Sequence, residues 1–260
     1  MKKTIGFILL VIGTALMIAG CNDETSTDSS NMKLVEEGKF TFAASGEYAP
    51  FSVTDGNGQM SGFDIDVANE IADRLGLEPV QNKFKFAGIV EGVKTGRFDA
   101  AVASHTITDE RKEHVAFSTP YYYSGPQIFV RPDSDIESME DLEGVEIAVS
   151  KGSTYATIAS EATDRVVQYD SDVVALEALS KGKHDAVITD FVTGKEAIGK
   201  GLTIEGRQSL GTSEQAIAVS KENEELLQKI NEALQAMRED GTLKEISEHY
   251  FGEDITTQPE

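Results

Sequence analysis

The sequence predicts an α/β fold built from two similar units. Short runs rich in β-branched and aromatic residues alternate with segments of helical spacing along the chain. One stretch also repeats: residues 91–102 read EGVKTGRFDAAV and residues 177–188 read EALSKGKHDAVI. Glu91 and Glu177, Gly96 and Gly182, Asp99 and Asp185, and Ala100 and Ala186 match without a gap. Each copy ends a helix on glycine, turns, and enters a strand. Beyond an N-terminal leader and the polar tether that follows it about 225 residues remain, enough for one large or two smaller domains.

The leader comes first in the chain. Lys2 and Lys3 precede an apolar run, Ile5 to Ile18, that is too short for a secure membrane span. Small residues follow, then Cys21, the only cysteine in the sequence. This arrangement resembles a bacterial lipoprotein box. It implies that residues 1–20 are a signal peptide and that Cys21 is lipidated as the mature N-terminus. The acyl chains then anchor the protein, at about 0.8 kcal/mol per buried methylene. With no second cysteine, the exported fold has no internal disulfide. Residues 22–31 read NDETSTDSSN, polar and without apolar periodicity, so residues 21–38 are expected to be a lipidated, flexible tether.

The formal net charge is −22 and the isoelectric point near 4.5. Phosphate binding needs clustered Lys and Arg, so nucleic acid is disfavoured as a partner. The acids are spread along the chain, as on a solvated surface.

The elements follow in order. Lys39 to Ala44 reads as a strand and leads into a loop, Ser45 to Phe51, with two aromatics. Asp55-Gly56-Asn57-Gly58 has hairpin chemistry. Gly62 to Asp66 opens a helix, with Asp64 or Asp66 at its N-terminal end, Val67, Ile71 and Leu75 at helical spacing, and Gly76 as its stop. Val80 to Phe86 reads as a strand, Ile89 and Val93 as a short helix ended by Gly96, and the stretch after Asp99 as a buried strand. Ser124 and Gly125 suit a crossing between units, and Gln127 to Arg131 a strand. Ser138 starts a helix. Val145 to Ser150 is a strand, followed by a helix to about Ala162. Val166 to Tyr169 is a strand, Val173 to Leu179 a helix, and Asp185 to Ile188 the repeat strand. Phe191 to Ile198 is helical, Gln215 to Val219 a strand, Glu222 to Arg238 an amphipathic helix ended by Gly241, and Leu243 to Tyr250 a last helix.

The two repeat strands carry the chemistry. Residues 99–111 read DAAVASHTITDER, a buried strand that opens into Ser104 and Thr106 and ends on Arg111. At the same offset Ser104 falls on Asp190. Two such strand ends facing each other make a cleft with hydroxyls and a guanidinium on one wall and an acid on the other, which suits a zwitterion. His105, His114, His184 and His249 lack metal-ligand spacing, so neither a metal nor another cofactor is expected.

At these motifs the chain resembles the polar amino-acid-binding proteins of bacterial ABC uptake systems, the type 3 extracellular solute-binding proteins. The matching pieces are YAPF at 48–51, GFDIDVANEIADRLG at 62–76, ITDERKEHVAFSTPYY at 107–122, GST at 152–154 and DGTLKEISEHYFGEDI at 240–255. The resemblance implies a two-lobed periplasmic-binding-protein-like fold of type II with two crossing strands. Lobe one would hold residues 39–124 and 220–260, and lobe two residues 125–219. The implied ligand is a free polar amino acid, and the implied partner is the permease on which the closed, monomeric receptor docks.

The resemblance also assigns roles. Arg111 is the carboxylate clamp, since its planar fork grips a carboxylate with two parallel hydrogen bonds. Ser104 and Thr106 aim polar groups at the same end. Ser153 and Thr154 add the free N–H groups of a helix N-terminus. Asp190 takes the ligand ammonium, and Tyr48 and Phe86 sandwich the aliphatic part. Ser45 stands where relatives that bind basic amino acids carry an acid, and Tyr155 follows the GST motif where a polar residue is common. His105 is expected to face the core. The C-terminal motif and the residues after Tyr122 lean toward cystine and related sulfur amino acids.

The expected function is therefore a membrane-anchored, outward-facing receptor and no enzyme. Two alternatives stay open: an exported arogenate or prephenate dehydratase on the same fold, with Glu47 as the one nearby acid or base, and a ligand-sensing lipoprotein.

Overall fold

The computed structural model describes residues 32–259. The expected signal peptide, Cys21 and most of the expected tether lie outside these residues. The tether is expected to run through residue 38, yet the chain is docked by Lys33: Asn223 Nδ2 donates to Lys33 O at 2.8 Å, and Val35 N donates to Asp99 Oδ1 at 2.8 Å.

The first lobe begins with β1 (Lys39–Ala44), β2 (Glu47–Tyr48), β3 (Ser52–Thr54) and β4 (Met60–Ser61). It continues with α1 (Phe63–Leu75), β5 (Glu78–Lys83), α2 (Phe86–Lys94), β6 (Ala100–Thr106) and α3 (Asp109–Lys112). The short strands β7 (Ala116–Phe117) and β8 (Tyr122–Ser124) lead out of it. The second lobe runs through β9 (Pro126–Val130), a 3-10 turn at Met139–Leu142, β10 (Ile147–Ser150), α4 (Thr154–Ala162) and β11 (Val166–Tyr169). It ends with α5 (Asp172–Ser180), β12 (Ala186–Asp190), α6 (Phe191–Gly199) and β13 (Glu205–Ser209). The chain then returns to lobe one with β14 (Ser213–Val219), α7 (Glu224–Glu239) and α8 (Thr242–Phe251).

Each lobe has its own sheet, ordered β5-β1-β6-β14-β7 with β8 on β14 in lobe one, and β11-β10-β12-β9-β13 in lobe two. The sequence repeat is a structural repeat. β6 lies parallel to β1 and β12 parallel to β10, each after a helix that closes on a left-handed glycine, Gly96 or Gly182. The two matched acids do similar work. Asp99 accepts from Thr41 N at 2.7 Å, and Asp185 accepts from Glu146 N at 3.1 Å, so each ties the entry of its strand to the neighbouring strand.

Two boundaries differ from expectation. β14 starts at Ser213, pairs antiparallel with β6 and also binds β8, so lobe one regains the chain near residue 212, ahead of the expected 220. The strand expected over 80–86 ends at Lys83, because its partner β1 ends at Ala44 and the ladder has nothing further to pair with. Phe86 instead opens α2. β13, on the edge of lobe two, is polar and largely exposed and gives no apolar signal.

The crossings at Gly125 and Gly211 touch backbone to backbone. A Cβ on Gly125 would stand 2.0 Å from Gly211 O, which explains glycine there. Leu210 N donates to Pro126 O at 2.8 Å and Phe191 N to Gly125 O at 3.0 Å, binding the crossing to lobe two. Each lobe has its own apolar core. Phe40, Phe42, Ile65 and Ile71 fill lobe one, and Ile128 and Leu179 lie in separate clusters of lobe two. Phe51, Phe63, Tyr121, Tyr122 and Phe251 form a contiguous aromatic cluster of stacked, tilted and edge-to-face pairs. Such pairs add about 0.5–1.5 kcal/mol each beyond area burial.

This cluster positions the end of β6. Ser104 is the one non-glycine residue with positive φ among the described residues, at 57°. Holding an L-residue there costs roughly 1–2 kcal/mol. Its hydroxyl donates to Asp64 Oδ2 at 2.8 Å, its N–H donates to Tyr121 Oη at 3.0 Å, and the Tyr121 hydroxyl donates to Asp64 Oδ1 at 2.5 Å. Asp64, expected at the start of α1, is thus a fully buried brace behind the strand end. Burial pushes its carboxyl up to about 7, against the two hydroxyl donors. Between about pH 4 and that value the folded state keeps a proton that the unfolded chain has lost, so stability falls as pH rises through this window and levels off above it. Urea unfolding at about pH 5 and about pH 8 should show this loss, and Asp64→Asn should reduce it. An unchanged difference in the variant would assign the titration elsewhere.

Candidate functional site

The cleft lies where the strand ends of the two lobes meet. Ser45 follows β1, Ser104 and Thr106 end β6, Ser150 ends β10, and Asp170 follows β11. Ligands of open α/β sheets bind at such carboxyl ends. About 430 Å³ of unfilled space, partly open to solvent, lies between the lobes. Eight of the nine expected site residues line it: Ser45, Tyr48, Phe86, Ser104, Thr106, Arg111, Ser153 and Thr154. Glu47, Ser150, Tyr155, Asp170, Ser171 and Asp172 complete the wall.

Arg111 is set by the turn before it. Thr108 caps α3 and its hydroxyl accepts from Arg111 N at 3.2 Å, which fixes the backbone. Arg111 Nη1 donates to Thr106 O at 2.8 Å, and Nη2 reaches across the cleft to Gly152 O at 3.0 Å. Its guanidinium carbon stands 5.7 Å from the centroid of the Phe86 ring. On the Phe86 ring lies His105, with centroids 4.4 Å apart and planes 17° apart. His105 faces the interior, as its alternation predicts, and burial with the nearby Arg111 charge holds it well below the ordinary histidine range, so it is neutral. Burial also lowers Arg111, yet a guanidinium stays charged.

Ser104 lines the cleft, and its N–H and hydroxyl donate to Tyr121 and Asp64 of the brace. Ser153 caps α4: its hydroxyl accepts from Ala156 N at 3.2 Å and donates to Ser150 O at 2.7 Å. Thr154 opens that helix, whose first N–H groups favour an anion. Ser45 shares a 3.2 Å contact with Ser52 Oγ. Tyr48 stacks on Phe51, with centroids 4.9 Å apart.

Asp190 differs most from expectation. It is fully buried and does not line the cleft. Oδ1 accepts from Ser124 Oγ at 2.7 Å and Val192 N at 2.8 Å, and Oδ2 accepts from Tyr155 Oη at 3.2 Å. Tyr155 thus stands between Asp190 and the cleft. Burial pushes the Asp190 carboxyl up to about 6, and neighbouring Asp172 adds to this against the three donors. Asp172 itself does line the cleft, is buried, and accepts from Thr189 Oγ1 at 2.7 Å. Burial raises it, with Thr189 and Ser150 opposing. Its sequence signal was masked, because an acid after Ser171 reads as an ordinary first-turn residue of α5.

The cleft mouth is closed by contacts between lobes. Lys85 pairs with Asp170 at 2.7 Å, and Ser171 Oγ donates to Glu47 O at 2.9 Å. Lys83 pairs with Glu47 at 2.8 Å within lobe one. Lys83, Lys85 and Lys151 line an outer groove that shares Ser45, Glu47, Phe86 and Asp170 with the inner cleft. Among the described residues no cluster of three or more His, Cys, Asp or Glu is arranged to hold a metal, and no helix is long and apolar enough to cross a membrane.

This geometry has known counterparts. An ancestral arginine-binding protein bound to glutamine superposes with a TM-score of 0.79 at 36% identity, covering 84% of this chain and 100% of that one. The L-cystine-binding protein of Escherichia coli (strain K12) is 30% identical over 256 residues, 95% of this chain and 96% of the relative. The L-arginine-binding protein of Pseudomonas aeruginosa PAO1 is 32% identical over 222 residues, 80% of this chain and 86% of the relative. These relatives are binding proteins, and the fold is the two-lobed one that the motifs imply. The profile of the bacterial extracellular solute-binding proteins, family 3, matches residues 40–253, and the chain belongs to that family.

Proposed function

We propose that the protein is the receptor of an ABC importer, capturing a polar amino acid between its lobes and delivering it to the permease. The observation that carries this reading is Arg111, held at the seam with Thr106 on one side and Gly152 of the other lobe on the next. A ligand carboxylate meets the remaining guanidinium N–H groups and the N-terminus of α4 together. Because these donors come from different lobes, a bound carboxylate favours the closed form, and the permease recognises closure.

A sulfur amino acid, with cystine foremost, fits best. The cystine-binding relative supports this, as do the aromatic walls of Tyr48, Phe86 and Tyr155. The Cα atoms of a disulfide-linked pair lie about 5.5–6 Å apart. The second head of cystine would therefore fall in the outer groove, among Lys83, Lys85, Glu47 and Asp170. The dehydratase reading has less behind it, since Glu47 sits at the mouth in a pair with Lys83.

Thermal unfolding against the twenty amino acids, cystine, ornithine, citrulline and betaine-type solutes tests the reading. Saturation at about 100 times Kd adds about 2.7 kcal/mol, which for a chain this size raises Tm by roughly 5–10 °C. One or two amino acids should do so, and Arg111→Ala should weaken them about 100-fold or more. Flat curves throughout would sink the receptor reading and turn attention to turnover of prephenate and arogenate.

Anchoring through Cys21 is part of the same proposal and has its own test. In cells fed labelled palmitate, the wild type should carry label and sediment with membranes, and Cys21→Ser should do neither. Unlabelled wild-type protein in the soluble fraction would remove the anchor.

A further inference from the structure

We infer that the first turn of α6 and the C-terminal segment Gly252–Thr256 form a bearing behind the cleft, a third tie between the lobes that fixes the axis on which they close. The tie acts in the ligand-free protein and stands apart from the receptor reading.

The chain passes between the lobes twice, at Gly125 and at Gly211. Two strands alone let one lobe twist and slide on the other as well as swing. By packing, α6 belongs to lobe two. It lies on α5, β9, β12 and β13, and the Phe129 ring of β9 fills the space that a side chain at Gly194 would need. Its first turn, however, enters lobe one. Val192, 6% exposed, is part of the core that holds Phe51, Phe63 and Tyr122, and Phe191 packs against the same cluster. This turn is also pinned to the first crossing. Asp190 accepts from both Ser124 Oγ and Val192 N, and Phe191 N donates to Gly125 O. A close-packed core resists displacement of a buried side chain. When the lobes move as rigid bodies, Val192 therefore stays close to the rotation axis.

The C-terminal segment holds the same helix at a second point. Ser247 Oγ, on α8, donates to Glu253 O at 2.8 Å and accepts from Ile255 N at 3.0 Å. Ile255 is buried in the core of lobe one, and its carbonyl accepts from Tyr123 N at 2.8 Å, on the strand that leads into the first crossing. Glu253 is left at the surface, where it pairs with Lys195 of α6 at 2.9 Å. Lobe one thus grips α6 through a core side chain and, about one turn on, through an ion pair. Both contacts lie away from the mouth: among the described residues, those lining the cleft and the outer groove include none from 191–195 or 252–256. Two fixed points on one helix leave lobe two a swing and oppose twist and slide. That swing brings Gly152 down in register on Arg111.

The test reads the distance between the lobes directly. Val53 and Val174 are exposed, at 40% and 48%, on the two sides of the mouth: Val53 stands opposite Glu47, and Val174 N donates to Ser171 Oγ. Spin labels on Val53→Cys and Val174→Cys, in a chain that also carries Cys21→Ser, report the distribution of that distance by pulsed dipolar electron paramagnetic resonance, without ligand. Lys195→Glu and Glu253→Lys each set two like charges against each other. Each should broaden the distribution and lower the population of its main peak, relative to the rest, by about two- to fivefold, the scale of an exposed ion pair. Combining Lys195→Glu with Glu253→Lys rebuilds the pair with its signs exchanged and should restore the narrow peak. Single variants that keep the distribution of the parent chain, whatever their melting temperature, would overturn the inference, because the pair would then serve only local packing. A double variant as broad as either single would overturn it as well.

Discussion

A guanidinium held in a seam between two lobes is the constraint on which the site depends. Arg111 cannot lose its proton, and its two bonded nitrogens reach only backbone carbonyls, Thr106 O and Gly152 O. Carbonyl dipoles orient the charge without neutralising it. On the proposed function an anion between the lobes would complete the site, and the lobe that supplies Gly152 also supplies the α4 N-terminus that would meet it. On that proposal, charge, closure and ligand choice are linked through one side chain.

The rest of lobe one keeps that side chain in place. The aromatic cluster buries Tyr121, Tyr121 and Ser104 engage Asp64, and the brace bends the end of β6 at a positive φ. That bend leads the chain toward Thr106 and on to Arg111. Behind Phe86 the neutral His105 ring backs the shelf over which the guanidinium lies, and the neutral state avoids a second buried cation beside Arg111. Lobe two is built on the same repeat and ends its strand differently. Where β6 carries a bent serine, β12 carries Asp190, which locks Tyr155 and the crossing at Ser124.

Much of this was legible in the sequence, for identifiable reasons. The repeat at 91–102 and 177–188 marked two equivalent strands, and left-handed glycines marked the helix ends before them. Arg111, Tyr48 and Thr154 were legible because motif and local structure agreed. What stayed hidden was tertiary. Asp64 and Asp172 both read as acids in the first turn of a helix, and both are there, yet tertiary packing buries one as a brace and sets the other against the cleft wall. Phe86 looked like the end of a strand because nothing local shows where its partner strand stops. Tyr155 was legible as a residue that narrows the pocket, but its bond to Asp190 depends on the packing of α4 against β12.

The central claim is that Arg111 holds a ligand carboxylate. The most direct measurement is a paired titration of the preferred amino acid and of its methyl ester, which keeps the ammonium and side chain but has no carboxylate. The account predicts that the ester binds at least 100-fold more weakly to the wild type, and that Arg111→Ala brings acid and ester to similar, weak affinities. Equal affinity of acid and ester for the wild type would contradict it.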